Sequence, residues 1–433
     1  MHSTVLVINP YAADFKLYDE WMHPLGLYFL ITLLKSNGTE VRFFNCLERG
    51  HDTPVKKYGT GDFHSVEIEK PPLYQSLPRK YKLYGKPQKE LLAFLEQTPE
   101  PALICIGSMM TYWLPGVAET VRNVAAVHPN APICIGGAAA RLMPDVFRKN
   151  FPGAMIGASL EGSKAMRLCG SLPPLKSGAP VSLLGGLKLL DKPSHGPILM
   201  SLGCPMACSY CASHLLQGDF RLRPIELIMQ EIRYCIEHFR ICNFSFYDDA
   251  LLFRPDQGIV PLLDSLSSLR LSVTLHAPNG LHLRFIDDRI AGLLKAAGFA
   301  TLRFGYESGL SGYGSDTSAK TTRREVKGKI ACLKNAGFEK KEIGVYVMAG
   351  LEGQEPSAVV EEIEFIASLG VQAKPVYLSP VPGTALFERY ALRFPQIRVD
   401  PLWHNDMFFI TRLPGWSWEA VETIRSKVNE LNK

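Results

Sequence analysis

Nothing in this chain is suited to crossing a membrane as a helix. Its longest apolar run, Leu25 to Leu34, falls well short of the ~20 residues a span needs. The opening MHSTVLVINP lacks the basic, apolar and small-residue sections of a secretory signal, so the expected location is cytoplasmic. Cysteine is sparse, with ten in 433 residues, far below the density of a stapled secreted scaffold. Thiols in such a compartment stay reduced, so disulfides are not expected. Strong charge of one sign is also missing. A net charge of +5 is too mild to call for a polyanionic partner, and neither nucleic acid nor membrane is expected as one.

The cysteine that is present is concentrated. The stretch 201-SLGCPMACSYCAS-213 places Cys204, Cys208 and Cys211 in one short loop, spaced C-x3-C-x2-C. Structural zinc takes four ligands, usually from two close pairs. Only Cys208 and Cys211 form such a pair, and Cys235 and Cys242 are too widely spaced to supply the second. A Cys3His zinc site completed by His214 stays open as an alternative. An iron–sulfur cubane fits the count differently: three thiolates hold three irons and leave the fourth exposed for chemistry. Gly203 and Pro205 supply the turn residues such a loop requires. Tyr210 would pack beside the cluster or its ligand.

This motif, with an aromatic residue before the third cysteine, resembles the radical S-adenosylmethionine (radical SAM) superfamily. The resemblance implies a 4Fe-4S cluster on Cys204, Cys208 and Cys211, whose open iron chelates the amino and carboxylate groups of SAM. It implies one-electron cleavage of SAM to a 5′-deoxyadenosyl radical, fed by a donor such as flavodoxin or ferredoxin.

The remainder of the chain from the motif onward alternates strand-like and helix-like segments, the pattern of β/α units. Strands are predicted near 197–202, 243–247, 271–276, 301–306, 343–348 and 374–379, with helices at 224–239, 256–268, 286–297, 320–335, 355–369 and 384–391. Six units match the partial (β/α)6 TIM-type barrel of the superfamily, in which chemistry sits beyond the carboxyl ends of the strands. Those ends nominate further residues. Asp248 and Asp249 follow the second strand, where the resemblance places an acceptor for the SAM ammonium, one of the two doubling as a helix cap. His276, His282 and Arg284 are expected on the mouth loop after the third. Glu307 sits in 305-GYESG-309, similar to a family segment whose acid accepts from ribose hydroxyls, and Arg303 is a candidate carboxylate clamp or pairing partner. Gly350 belongs to 350-GLEGQ-354, similar to a turn over the adenine, with Glu352 where the family has proline. The stretch 377-YLSPVPGT-384 resembles one common in the cobalamin-associated branch.

Residues 1–170 form a separate α/β unit by length, followed by a linker at 171–195, the barrel at 196–391 and a C-terminal cap at 392–433. Strands at 5–9, 41–46, 103–109, 133–137 and 154–158 predict a flavodoxin-like, Rossmann-type doubly wound sheet of order 2-1-3-4-5. The unit resembles the cobalamin-binding domain that precedes many radical SAM barrels, carried by 23-HPLGL-27, Gly136-Gly137 and Glu161-Gly162. The residues expected near cobalamin are Asn9, His23, Gly26, Ser108, Met109, Thr111, Tyr112, Gly136 and Gly137. One departure stands out. Cobalamin domains that ligate cobalt through D-x-H-x-x-G carry an aspartate where this chain has Trp21, so His23 is left between a cobalt ligand and a residue at the helix start. The segment 47–100 is too long for an ordinary connection and is expected as an insertion or lid. The other cysteines, 46, 105, 134, 169, 235, 242 and 332, mostly sit in apolar strand or helix contexts and read by default as core thiols, against the second cluster of the methylthiotransferases.

The expected function is a cobalamin-dependent radical SAM enzyme, with methyl transfer to an unactivated carbon of a small-molecule or peptide substrate. The alternatives are a radical SAM enzyme that performs another rearrangement without cobalamin, and a non-catalytic iron–sulfur or zinc protein.

Overall fold

The computed structural model describes residues 4–49, 53–157, 182–268, 272–306 and 321–433. The chain forms two compact units. The first runs to Ser194 and includes Pro395–His404; the second comprises His195–Phe394 and Asn405–Lys433. The C-terminal residues are thus shared between the two units. The expected boundary at 170, Cys169 and Glu161-Gly162 lie outside the described residues.

In the first unit, β1 (Thr4–Asn9), β2 (Glu40–Asn45), β3 (Leu103–Ile106), β4 (Ile133–Ile135) and β5 (Met155–Ile156) form a parallel sheet in the order β2-β1-β3-β4-β5. This is the doubly wound order expected from the sequence. Val5 to Ile8 are fully buried, as a parallel strand covered on both faces must be. Helices Leu25–Ser36, Gln88–Glu96 and Leu114–Val127 lie between the strands in sequence. Strand order reverses between β1 and β3, and the crevice beyond their carboxyl ends is where such sheets bind ligands.

The segment 47–100 is woven into the loop that follows β1 and does not stand open as a lid. Ala12–Asp14 pairs with Lys82–Tyr84, which pairs in turn with Ser65–Glu67, and Tyr18–Asp19 pairs with Gly61–Asp62. The basic-aromatic run 79–87 therefore supplies a central strand, with Tyr81 and Tyr84 buried. Arg49 fastens this weave: its Nε donates to Asp19 Oδ2 at 2.8 Å, Nη1 donates to the Thr60 carbonyl, and Nη2 donates to the Gly59 carbonyl and to Ser194. The segment 395–404 is locked into the same unit. His404 lies fully buried between Thr111 Oγ1, 2.7 Å from Nδ1, and the Ile397 carbonyl, 2.7 Å from Nε2, while the Tyr74 hydroxyl donates to the Leu402 carbonyl.

In the second unit, β6 (Gly196–Ile198), β7 (Asn243–Phe246), β8 (Thr274–His282), β9 (Phe299–Tyr306), β10 (Ile343–Ala349) and β11 (Gln372–Tyr377) are parallel and paired in sequence order. This is the predicted six-stranded partial barrel. One face is apolar: Phe244, Leu275, Leu302, Phe304 and Val345 are each 1% exposed or less. By strand alternation the other face carries Ser245, His276, Thr301, Arg303 and Gly344, brought level by the register of the parallel pairs. Here β8 departs from expectation. It continues to His282 through Pro-Asn-Gly, with pairing interrupted between Ala277 and Leu281, so His276 lies inside the sheet and not on a mouth loop. Among the described residues, no helix is long and apolar enough to cross a membrane.

Burial depresses the His404 pKa from 6.5 to about 4. The folded chain keeps this imidazole neutral while the unfolded chain protonates it, so its contribution is complete above pH 6.5 and is lost as the pH falls toward about 4. A pH series of thermal melts should show His404→Gln with a shallower decline than the parent across that window, by up to about 1.4 kcal/mol per pH unit.

Candidate functional site

The cysteine loop begins where β6 leaves the sheet. After Ile198 the chain pairs no further with β7, and its next carbonyls are taken by one residue downstream. Arg223 donates from Nη1 to the Leu199 carbonyl at 2.6 Å and from its backbone nitrogen to the Met200 carbonyl at 2.8 Å. The guanidinium is itself held by buried Glu231, with Nη2 2.6 Å from Oε1. Ser201–Leu202 then pairs antiparallel with Arg221–Leu222, which pinches the loop shut. Gly203 opens it with φ +75, and a Cβ there would sit 2.6 Å from the carbonyl oxygens of Gly218 and Asp219. Glycine is required on both counts. The loop leaves through the short helix Ser213–Gln217, and the Leu386 backbone nitrogen donates to the Ser209 carbonyl, tying its middle to the chain after β11.

Cys204, Cys208, Cys211 and Tyr210 are all partly exposed, unlike the buried Cys46, Cys105, Cys134 and Cys235. Cys204 and Cys208 line a cavity of about 610 Å³ together with Met206, His214, Phe253 and Thr384. Among the described residues, no three His, Cys, Asp or Glu side chains converge on one point as a single ion would need. A cubane makes a different demand, because each thiolate meets its own iron. Three half-exposed thiols on one closed loop, two of them facing a cavity, fit it. Burial pushes the Cys204 thiol up to about 11, and the nearby Asp249 carboxylate adds to the shift. Burial raises Cys211 as well, offset in part by the Ser213 backbone N–H, 3.4 Å from Sγ.

The other residues expected near SAM divide. Asp249 stands beside the loop, its backbone carbonyl 4.0 Å from Cys204 Sγ. Asp248 is 3% exposed, and its carboxylate already accepts from Met200 N, Ser201 N and Ser201 Oγ at 2.5 to 3.1 Å. Arg303 is directed away from the strands' carboxyl ends. Its Nη1 donates to the carbonyls of Leu302 and Glu342, the latter preceding β10, and Gly344 makes room for its side chain. Gly350 has φ +96, and a Cβ there would meet Ile410 at 2.8 Å; its carbonyl accepts from the Tyr390 hydroxyl at 2.6 Å. That glycine is therefore required by the protein's own packing. Gln354 closes the same turn, accepting from Gly350 N and Leu351 N. Glu307 lies outside the described residues.

In the first unit the expected cobalamin residues also divide. Asn9 donates to Asn45 Oδ1 at 2.7 Å, and Ser108 Oγ bridges the Gly136 carbonyl and Ala140 N. Thr111 is committed to His404, and Tyr112 packs in the apolar cluster of Ala12, Leu47, Phe63, Tyr84 and Trp113. Gly137 has φ +95 and lies against Ser108. Gly26 and Gly136 differ from these: a Cβ at either would meet nothing within 4 Å. Neither glycine is needed by the fold around it: Gly26 lies in the first turn of the helix Leu25–Ser36 and Gly136 just past β4, while Met109, beyond β3, is 56% exposed. His23 Nδ1 lies 2.9 Å from the Tyr28 hydroxyl, a partner that the sequence reading missed, as it also missed Gln217 beside the cysteine loop.

Residues 198–366 match the sequence model of the Radical SAM superfamily. Over 198 residues the chain is 29% identical to bacteriochlorophyllide d C-12(1)-methyltransferase of Chlorobaculum tepidum, covering 44% of this chain and 42% of that one. It thus spans less than half of that curated relative. Among solved structures, the radical SAM methyltransferase TsrM of Kitasatospora setae, determined with tryptophan and a SAM analogue, is similar with a TM-score of 0.66 at 16% identity, covering 90% of this chain and 76% of that one. The cobalamin-dependent radical enzyme OxsB, with aqua-cobalamin and SAM, is similar with a TM-score of 0.58 at 12% identity, covering 92% and 56%. At such identities the likeness is one of fold.

Gly203→Ala should destabilise the fold by about 1–3 kcal/mol in denaturant unfolding, because the new methyl meets two backbone carbonyls in a left-handed conformation.

Proposed function

We propose that this chain, whose residues 198–366 form a radical SAM domain, is a cobalamin-dependent radical SAM enzyme that transfers a methyl group to an unactivated carbon. The observation that carries the reading is the closed three-cysteine loop at the carboxyl end of the first strand of a six-stranded parallel sheet. When bound, the 4Fe-4S cluster, SAM and cobalamin supply reductive cleavage of SAM to a 5′-deoxyadenosyl radical and a methyl group for transfer.

The chain's own contribution is to bind, orient and exclude. Cys204, Cys208 and Cys211 would hold the cluster, and the 201–202/221–222 hairpin fixes the loop that presents them. Asp249 and Tyr210 lie close by; Glu307 is the proposed acceptor for the SAM ribose. In the first unit, Gly26 and Gly136 would let a corrin approach the backbone, with Met109 against it. His23 is oriented by Tyr28. The substrate is a small molecule or peptide, the electron donor a flavodoxin or ferredoxin, and the location the cytoplasm.

Anaerobic purification with iron, sulfide and hydroxocobalamin tests this directly. The expected result is about four irons and one cobalt per chain, with 5′-deoxyadenosine released on adding dithionite and SAM. Cys208→Ala should abolish both iron retention and 5′-deoxyadenosine. Iron and SAM cleavage without bound cobalt would leave the barrel's role standing and remove methyl transfer from cobalamin. Gly26 separates ligand space from packing. Gly26→Ala should be neutral or stabilising by up to about 1 kcal/mol, since a helical glycine gains from a methyl that meets nothing. Gly26→Leu should fold normally and bind hydroxocobalamin more weakly in an equilibrium titration.

A further inference from the structure

We propose that Asp248, Asp249 and Gln217 are positioning residues that brace the three-cysteine loop at both of its ends, and that the Asp249 charge biases the loop toward a low-potential cluster. This inference rests on the radical SAM reading of that loop. The two aspartates stand side by side at the end of β7, yet they reach different parts of it. Asp248 takes the entrance. Both its oxygens accept from Met200 N, at 3.1 and 3.0 Å, and Oδ1 accepts from Ser201 N at 2.6 Å and Ser201 Oγ at 2.5 Å. A carboxylate offers about four lone-pair sites, and these three donors take up most of that capacity. The bonds stand in for the sheet pairing that β6 abandons after Ile198.

Asp249 takes the exit. Its Oδ2 accepts from Ser213 Oγ and from Gln217 Nε2, the latter at 3.1 Å. Gln217 then turns back across the loop, where its Oε1 accepts from Gly203 N at 2.9 Å. Ser213 also donates its backbone N–H to Cys211 Sγ at 3.4 Å. One continuous network therefore joins the residue before Cys204 to the residue after next beyond Cys211. Asp249, its acidic member, sets its backbone carbonyl 4.0 Å from Cys204 Sγ, and its carboxylate is near enough to raise that thiol. Adding an electron to a cluster costs more beside a fixed negative charge, and cluster potentials follow local charge and hydrogen bonds to sulfur. The brace thus holds the ligands in place and makes the cluster a stronger reductant once reduced.

The test compares the full-length parent with Asp249→Asn, Gln217→Leu and Asp248→Asn, each reconstituted anaerobically with iron and sulfide. Three quantities are read: cluster retention against a chelator, the midpoint potential followed by EPR, and SAM affinity per loaded cluster. Gln217→Leu should weaken retention by about 10- to 100-fold, the usual effect of losing a residue that orients metal ligands. Asp249→Asn should raise the midpoint potential, a readout that loss of packing alone would not move in a fixed direction. If Asp248→Asn fails to fold, the other two variants carry the test, since Asp249 and Gln217 are only partly buried. The proposal is overturned if the aspartate variants keep retention and midpoint but lose SAM affinity tenfold or more, which would make them ammonium acceptors. It is equally overturned if all three quantities match the parent. A parent that takes up no cluster would instead defeat the radical SAM reading itself.

Discussion

A parallel strand cannot be followed by a tight turn. The chain must cross over and re-enter at the same edge, so every loop that leaves a strand's carboxyl end falls on one side of the sheet. Both units of this chain depend on that constraint. In the first it sets the segments after β1, β3 and β4 around one switch point; in the second it sets the cysteine loop, Asp248-Asp249 and the 350–354 turn along one rim. No special signal is needed to collect these residues. The sheet order does it, and the sequence has only to place chemistry just past each apolar run.

What the constraint does not supply is stiffness, and the chain provides that with buried charge. Arg223 and Glu231, at 2% and 1% side-chain exposure, tie the residues before the cysteine loop to the following helix. Arg49 and Asp19, at 7% and 6%, tie the weave over β1. Burial opposes the charge on Asp19, while the Met22 N–H and Arg49 favour it. Such pairs add little over apolar replacements, but removing one partner strands the other and costs about 3–5 kcal/mol. They therefore make one geometry the only tolerable one, which suits loops that must present ligands.

The strands of the two parallel sheets and their order were legible because most of them are buried apolar runs at β/α spacing, and the cysteine motif was legible because its meaning is local. Three kinds of feature were not. The weave of 53–84 uses strands of two or three residues whose partners lie from about fifteen to about seventy positions away, with no periodicity to read. Side-chain direction was hidden as well. Arg303 shares a strand with Gly305 and Tyr306, yet its guanidinium bonds the carbonyl before β10. The third is a glycine's reason. Gly350 and Gly26 look alike in sequence, but Gly350 is required by its φ and by Ile410, whereas Gly26 is required by nothing within the protein. Only the structure separates the two.

The same distinction bears on the missing aspartate of the D-x-H-x-x-G pattern. Trp21, in its place, adopts φ +65 and donates its indole N–H to the Tyr58 carbonyl at 2.7 Å. A tryptophan in the left-handed region costs about 1–2 kcal/mol, so the position serves the weave at some expense. An aspartate is present two residues earlier, but Asp19 accepts from Met22 N and Arg49. The group that meets His23 Nδ1 is the Tyr28 hydroxyl. A phenol orients an imidazole as a carboxylate does, yet lends it none of the negative charge that raises its basicity as a metal ligand. His23 is thus oriented by a neutral phenol, while the Asp19 carboxylate acts on it only through space.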